Sequence, residues 1–193
     1  GILNRFAAFL NKISGGRITA NSVTFTSLIA HFPIAYLIAI QSNYWAGGLL
    51  FFFGLLDAVD GPIARLQGQS TSKGMLLDSI TDKIKEVVLY IGVAYAFVSG
   101  DQAYWAVWAV AACGVSLLVS YVNAWGEAMV AKHKLSGHKT NNTFRSGLMT
   151  YDVRMTVFWV GLLTDHLYVS VAFIAVVSMF TALGRAKSIM QSL

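Results

Sequence analysis

The apolar positions of this chain fall into long, nearly unbroken runs separated by short polar segments. Stretches of about 18 or more mostly apolar residues recur, the length a helix needs to cross a bilayer core, and no sustained apolar–polar alternation is present. The pattern predicts six membrane-spanning helices, over about residues 20–40, 44–66, 73–98, 104–130, 147–163 and 167–190. Ahead of them, residues 2–13 set Ile2, Leu3, Phe6, Phe9, Leu10 and Ile13 against Asn4, Arg5, Asn11 and Lys12. That pattern suits an amphipathic helix too short to span and able to lie on the membrane surface. Gly15-Gly16 ends it. Thr19, Asn21 or Ser22 is available to cap the first span, Pro33 is expected to kink it, and Tyr44-Trp45 anchors the second at the interface. The expected fold class is thus an all-α membrane protein, six transmembrane helices preceded by an N-terminal amphipathic surface helix, forming a single domain over residues 1–193.

Composition agrees: 56% of the residues are hydrophobic and 12% charged, against roughly a quarter charged in a soluble domain. Two prolines and the lack of alternation argue against a transmembrane barrel. Cys113, the single cysteine, lies in an apolar run and cannot form an internal disulfide. No signal peptide with a cleavage site is visible, and the start at Gly1 rather than Met leaves a longer parent chain open.

The charges add orientation. Arg5, Lys12 and Arg17 precede the first span, and Arg65, Lys73, Lys83 and Lys85 flank the turn between the second and third. Lys132, Lys134, Lys139 and Arg145 lie between the fourth and fifth, and Arg185 and Lys187 near the end. The opposite loops, near Ser42, Asp101 and Asp165, hold no Lys or Arg. The positive-inside rule then puts both termini and the acidic stretch described next on the cytoplasmic side of the cell membrane. The net charge of +5 belongs to that face, where anionic headgroups or phosphorylated substrates meet it. Nucleic acid is a poor fit, since the basic residues are membrane-adjacent and no binding fold accompanies them.

Residues 57–82 break the apolar pattern. Asp57, Asp60, Asp78 and Asp82 lie within segments otherwise oily enough to span, where four unpaired carboxylates would cost on the order of 10 kcal/mol. Asp57 and Asp60 are three residues apart, and Asp78 and Asp82 four apart, so on helices each pair shares a face. Two antiparallel helices joined by a short loop can bring the pairs together, and the carboxylates would then repel unless cations sat between them. All-oxygen ligands select hard ions such as Mg²⁺, Mn²⁺ or Ca²⁺, and two such ions form a clamp for displacement at phosphorus. Gly61 lies one turn past Asp57 and Gly74 one turn before Asp78, leaving room for a flat base or a pyrophosphate. Arg65 offers a planar fork to phosphate, and Ser70, Thr71 and Ser72 precede a helix start where free N–H groups favour anions. Pro62 is expected to distort the second span here.

The ordered pattern D-x-x-D-G-x-x-A-R, eight residues, then G-x-x-x-D-x-x-x-D resembles the signature of the CDP-alcohol phosphotransferase family, with every signature position filled. The I-T-A-N-S-V-T segment is similar to the T-P-N-x-V-T that opens the first span in many members, with Ala20 in place of the usual proline. The resemblance implies a homodimeric transferase that moves a phosphoalcohol from a CDP-linked donor, such as CDP-diacylglycerol, to an acceptor hydroxyl and releases CMP. It implies two divalent ions, Mg²⁺ or Mn²⁺, one held by Asp57, Asp60 and Asp78 and the other by Asp57, Asp78 and Asp82. Asp82 would also be the general base. Gly61, Ala64, Arg65, Thr71 and Gly74 would line the nucleotide, with Asn21, Ser22, Val23 and Thr24 completing the donor site.

For the acceptor, Arg154 and Arg185 stand out in the fifth and sixth spans, and members with phosphorylated acceptors carry arginines at comparable places. G-L-M-T-Y-D-V-R is similar to the G-L-A-E-R-A-E-R of inositol-phosphate-using members at its last arginine, with Tyr151 replacing the earlier one. Asn123 and Trp125 stand where lysine and arginine are usual. A phosphorylated acceptor of inositol phosphate or glycerol phosphate type is the expectation. His133 and His138 are read as part of a solvated basic loop. Two other readings of the acidic stretch are an intramembrane prenyltransferase using a diphosphate donor and a cation transporter.

Overall fold

The structure, a computed structural model, describes residues 1–133 and 148–192. Lys134, His138, Lys139, Arg145 and the expected start of the fifth span at Gly147 lie outside the described residues, as do the side chains of Lys132 and His133. All regular elements among the described residues are helical: α1 (Ile2–Ile13), α2 (Ala20–Ala39), α3 (Asn43–Asp57), α4 (Asp60–Leu66), α5 (Ser72–Ser99), a 3-10 turn (Ala103–Trp105), α6 (Ala106–His133), α7 (Tyr151–Leu163) and α8 (Leu167–Ser192). Three stretches are long and apolar enough to cross a membrane, Ala20–Ala39, Ala103–Met129 and Leu167–Gln191. The helices α3 and α7, at 15 and 13 residues, are shorter than a span, and α5 carries the charges of the acidic stretch.

The chain divides into two compact units, Gly1–Gly92 and Val93–Leu193. In the first, α2 packs against α3 and α4, and α1 lies along α4. The join is a small apolar core of Ala7, Val23, Val59 and Ile63, flanked by Leu10, Ile18 and Leu56. Gln67, at the end of α4, fastens the α1–α2 connection to this core: its Nε2 donates to Asn11 Oδ1 at 2.9 Å and to the Ile18 carbonyl at 2.8 Å. The outer positions Leu3, Phe6, Phe9 and Ile13 of α1 remain exposed. The expected break at Gly15-Gly16 occurs, with both residues at positive φ (59° and 77°). The Gly16 N–H bonds the Asn11 carbonyl at 2.9 Å, a helix ending that a Cβ would disfavour.

Capping is settled in favour of Thr19. Its Oγ1 accepts from the Ser22 N–H at 3.2 Å, and its own N–H bonds Ser22 Oγ at 3.0 Å, a reciprocal pair at the start of α2. The segment expected as one helix over 44–66 is two, α3 and α4, parted at Ala58–Val59. Pro62 explains the break, because it has no N–H for the Ala58 carbonyl and its ring opposes that carbonyl. In the first turn of α4 the missing N–H costs nothing. The break lets Asp57 end one helix while Asp60 begins the next.

Helix α5 meets α2 at Gly92. A Cβ there would lie 2.5 Å from the Ala35 carbonyl oxygen, so the two backbones touch. In the second unit, α6 and α7 both pack on α8. One face of α7 buries Arg154, Phe158, Gly161 and Leu162. A Cβ on Gly161 would collide with Ser170, which is how closely α7 and α8 approach.

Candidate active site

Most of the signature residues of the first unit, though not Asp57 and Asp82, gather around an open cleft of about 160 Å³, lined by α2, α4, α5 and the α4–α5 connection. From α2 come Asn21 and Thr24, from α4 Asp60, Gly61, Ala64 and Arg65, and from the connection and α5 Thr71, Gly74 and Asp78. That volume is below the roughly 300 Å³ that a drug-sized ligand fills. Gly68, at φ 64°, turns the chain out of α4, with the Gln69 N–H bonding the Ala64 carbonyl at 2.8 Å. This ending aims Ser70 and Thr71 back at the cleft. Thr71 Oγ1 then accepts from the Gly74 N–H at 3.1 Å at the start of α5. A Cβ on Gly74 would face Thr71 Oγ1 at 3.4 Å and Asn21 Oδ1 at 4.0 Å, so the absent side chain keeps the cleft open between α2 and α5.

Asp60 is fixed by two donors, Thr24 Oγ1 at 2.8 Å and the Gly61 N–H at 2.5 Å. Of the four residues expected from α2, Asn21 and Thr24 face the cleft. Ser22 is occupied in the cap of its own helix, and Val23 is buried in the apolar core. The arrangement follows from helical geometry, which puts positions 21 and 24 on one face.

Asp57 and Asp82 meet away from the cleft lining, through a residue that the sequence presents only as a flanking positive charge. Lys85 Nζ lies 2.6 Å from Asp57 Oδ2 and 2.7 Å from Asp82 Oδ1, and its side chain is 1% exposed. The first contact is a hydrogen bond. The second is an ion pair without hydrogen-bond geometry, and the buried Asp57 Oδ1 also has no hydrogen-bond partner. Asp78 lies within electrostatic reach of Asp57, Asp60 and Asp82. Among the described residues, no three His, Cys, Asp or Glu side chains converge closely enough to hold a metal ion as they stand. The donor set is nonetheless all carboxylate oxygen, and a buried carboxylate oxygen without a partner is the kind of group a hard cation satisfies. The residues therefore fit a Mg²⁺- or Mn²⁺-type ion in chemistry. Lys85 follows Asp82 by three residues and shares its helix face, a local signal for that contact but not for the one with Asp57. Beside it, Lys83 pairs with the buried Glu86 at 3.2 Å.

The second unit holds the other two expected residues. Arg154 and Arg185 are 1% and 7% exposed, and their charges interact. Arg154 Nη1 donates to the Met149 carbonyl at 3.1 Å, and the guanidinium lies 6.0 Å from the centre of the Tyr151 ring. Both residues are buried within the second unit. Two buried cations within electrostatic reach of each other suit an anionic ligand with planar, bidentate demands. Asn123 donates to Glu127 Oε1 at 3.2 Å along α6.

A family model described as CDP-alcohol phosphatidyltransferase matches residues 17–183. A phosphatidylinositol phosphate synthase from Corynebacterium glutamicum is 33% identical over 149 residues, covering 76% of this chain and 63% of that protein. The namesake from Cutibacterium acnes is 30% identical over 120 residues, covering 61% of this chain and 58% of that protein. The chain thus spans about three-fifths of the length of these relatives. A crystal structure of Mycobacterium tuberculosis phosphatidylinositol phosphate synthase with CDP-DAG bound shares the fold at a TM-score of 0.81 and 22% identity, covering 97% of this chain and 93% of that one. A second structure of that protein, in complex with manganese and citrate, matches at a TM-score of 0.80 and 21% identity, covering 97% and 88%.

Proposed function

This chain belongs to the CDP-alcohol phosphatidyltransferase family, and on that premise we propose that it transfers a phosphatidyl group from CDP-diacylglycerol to the hydroxyl of a phosphorylated polar acceptor, releasing CMP. The observation that carries the reading is the cleft in which α2, α4 and α5 juxtapose Asn21, Thr24, Asp60, Gly61, Arg65, Thr71, Gly74 and Asp78. A nucleotide diphosphate asks for such a set: small residues for close backbone approach, an arginine fork, a hydroxyl and carboxylates beside it. CDP-DAG in the M. tuberculosis relative supports this donor. The relatives' name as phosphatidylinositol phosphate synthases, together with buried Arg154 and Arg185, supports an acceptor of the inositol phosphate type, with glycerol phosphate as the variant sharing its phosphate.

Asp57, Asp60, Asp78 and Asp82 are the residues that would hold two divalent ions, Mg²⁺ or Mn²⁺, in keeping with the manganese of the relative. Bound there, such ions supply charge neutralisation at the donor's phosphates and at the departing oxygen. Thr24 and the Gly61 N–H keep Asp60 oriented. Asn21, Ala64, Arg65, Thr71 and Gly74 seat the nucleotide, with Ser22 and Val23 setting the placement of Asn21 and Thr24. Asp82 accepts the proton of the acceptor hydroxyl as its oxygen bonds phosphorus and the bond to the CMP oxygen breaks. Arg154 and Arg185 grip the acceptor's phosphate.

The same reading completes six spans, with α3–α4, α5 and α7 joining the three long apolar helices, in one membrane domain. It lays α1 on the cytoplasmic surface of the cell membrane, its exposed Leu3, Phe6, Phe9 and Ile13 in the headgroup layer. The basic residues and the acidic stretch face the cytoplasm, and the enzyme works as a homodimer. Family membership leaves the prenyltransferase and transporter readings without support. The decisive variant is Asp82→Asn. It should lose transfer by about a thousandfold or more, the scale of a lost general base with its charge, while still binding CDP-diacylglycerol. Full turnover by that variant would remove Asp82 from the role.

A further inference from the structure

Asp57 ends α3 and Asp82 lies on α5, so the two come from different helices, yet their carboxylates share one ammonium at 2.6 and 2.7 Å. Without a cation between them, two such anions would repel. A Lys Nζ has three donors and one charge. Against two carboxylates it leaves one negative charge over, and it leaves Asp57 Oδ1 buried without a partner. The position therefore favours a cation of higher charge. The carboxylates are 18% and 22% exposed whereas the lysine is 1% exposed, so an ion can approach from the acidic side while the ammonium sits beneath. Lys83, two residues before Lys85, pairs with the buried Glu86.

We propose that Lys85 is a resident counter-ion of the metal cradle: its ammonium holds Asp57 and Asp82 together before metal arrives, and a divalent ion taken up by these carboxylates displaces it. It rests on the reading that these aspartates bind divalent metal. Lys85 is then a positioning residue that touches neither substrate. The flexible four-carbon stem lets the ammonium move without the backbone following. Two consequences follow. The metal-free protein stays folded with its carboxylates pre-arranged, and the apparent metal affinity is lowered by the fraction of molecules in which the lysine holds the site.

The test is Mn²⁺ binding to the purified full chain, stripped with chelator, measured by titration calorimetry and by the loss of the free-Mn²⁺ electron paramagnetic resonance signal. Lys85→Met should bind Mn²⁺ about tenfold or more tightly than wild type, since the competing cation is gone. Its melting temperature should fall in chelator and return towards the wild-type value with Mn²⁺, whereas Lys85→Arg, which keeps a cation, should stay close to wild type in both. A merely structural lysine would move affinity the other way. Unchanged or weaker Mn²⁺ binding by Lys85→Met, with wild type binding normally, overturns the proposal and leaves the cradle standing. Failure to obtain folded Lys85→Met even with Mn²⁺ throughout also overturns it, because the ion then does not replace the ammonium. No Mn²⁺ binding by wild type removes the metal reading itself.

Discussion

Replacing Gly92 with alanine probes whether the closeness of α2 and α5 sets the site. The new methyl would start 2.5 Å from the Ala35 carbonyl oxygen and 3.1 Å from the Ala35 Cα. Those are backbone atoms and cannot rotate away, so relief requires the helices to part by about 1 Å. Overpacking of this kind costs ~1–3 kcal/mol, with a rigid backbone obstacle at the upper end, and the better helix propensity of alanine returns about 1 kcal/mol. The net loss is about 2 kcal/mol. For a chain of 150–250 residues each kcal/mol is worth ~2–4 °C, so the melting temperature of purified protein should drop by about 4–8 °C. Gly114→Ala in α6 is the control: a Cβ there meets nothing within 4 Å, so propensity alone acts and stability should hold or rise. Asp82 lies on α5 about 15 Å from Gly92 at 1.5 Å per residue. A misplacement of about 1 Å can cost up to ~100-fold in rate, so turnover well below the melting temperature should fall by about ten- to a hundredfold. A Gly92→Ala protein as stable and active as wild type would refute the close α2–α5 contact.

Gln67→Ala removes the donors to Asn11 and the Ile18 carbonyl and should lower stability by about 1–3 kcal/mol, read as a lower melting temperature and faster proteolysis in the α1–α2 connection. Gly74→Val pushes methyl groups into the cleft between Thr71 and Asn21. It should raise KM for the CDP-linked donor about tenfold or more, with the melting temperature within about 3 °C of wild type, and an unchanged donor KM would count against the cleft as the nucleotide site. Arg154→Gln should abolish use of a phosphorylated acceptor while leaving donor binding intact, since a charge-assisted phosphate contact is lost without altering the first unit. Acceptor KM rising less than twofold would contradict that role.

Much of the first unit was legible because its signals are local. The apolar runs and the Gly15-Gly16 ending of α1 are read within one helical turn or one helix. Helix periodicity within 60–65 and 74–78 put Asp60, Gly61, Ala64, Arg65, Gly74 and Asp78 on one cleft, whereas Asp57 and Asp82, expected on the same faces, meet at Lys85 away from its lining. Four features depended on tertiary structure and were not legible. The break at Ala58–Val59 needed the Pro62 ring placed against a specific carbonyl, where the sequence suggested only distortion. Val23 and Ser22 share a segment with Asn21 and Thr24 but point to other faces, which no segment-level motif resolves. Lys85 looked like one more positive charge beside a membrane, because its partner Asp57 is 28 residues away. The glycine contacts of α5 on α2 and of α7 on α8 were likewise hidden, since a glycine in an apolar run does not say which backbone it approaches.

The most direct test of transfer is CMP release. Purified protein is supplied with CDP-diacylglycerol and Mn²⁺ or Mg²⁺, and CMP is measured with inositol phosphate, glycerol phosphate, free inositol or no acceptor. CMP production should require both the divalent ion and a phosphorylated acceptor, vanish in Asp82→Asn, and be accompanied by one new phospholipid per CMP. Folded protein that binds the donor yet releases no CMP with any of these acceptors would contradict the account.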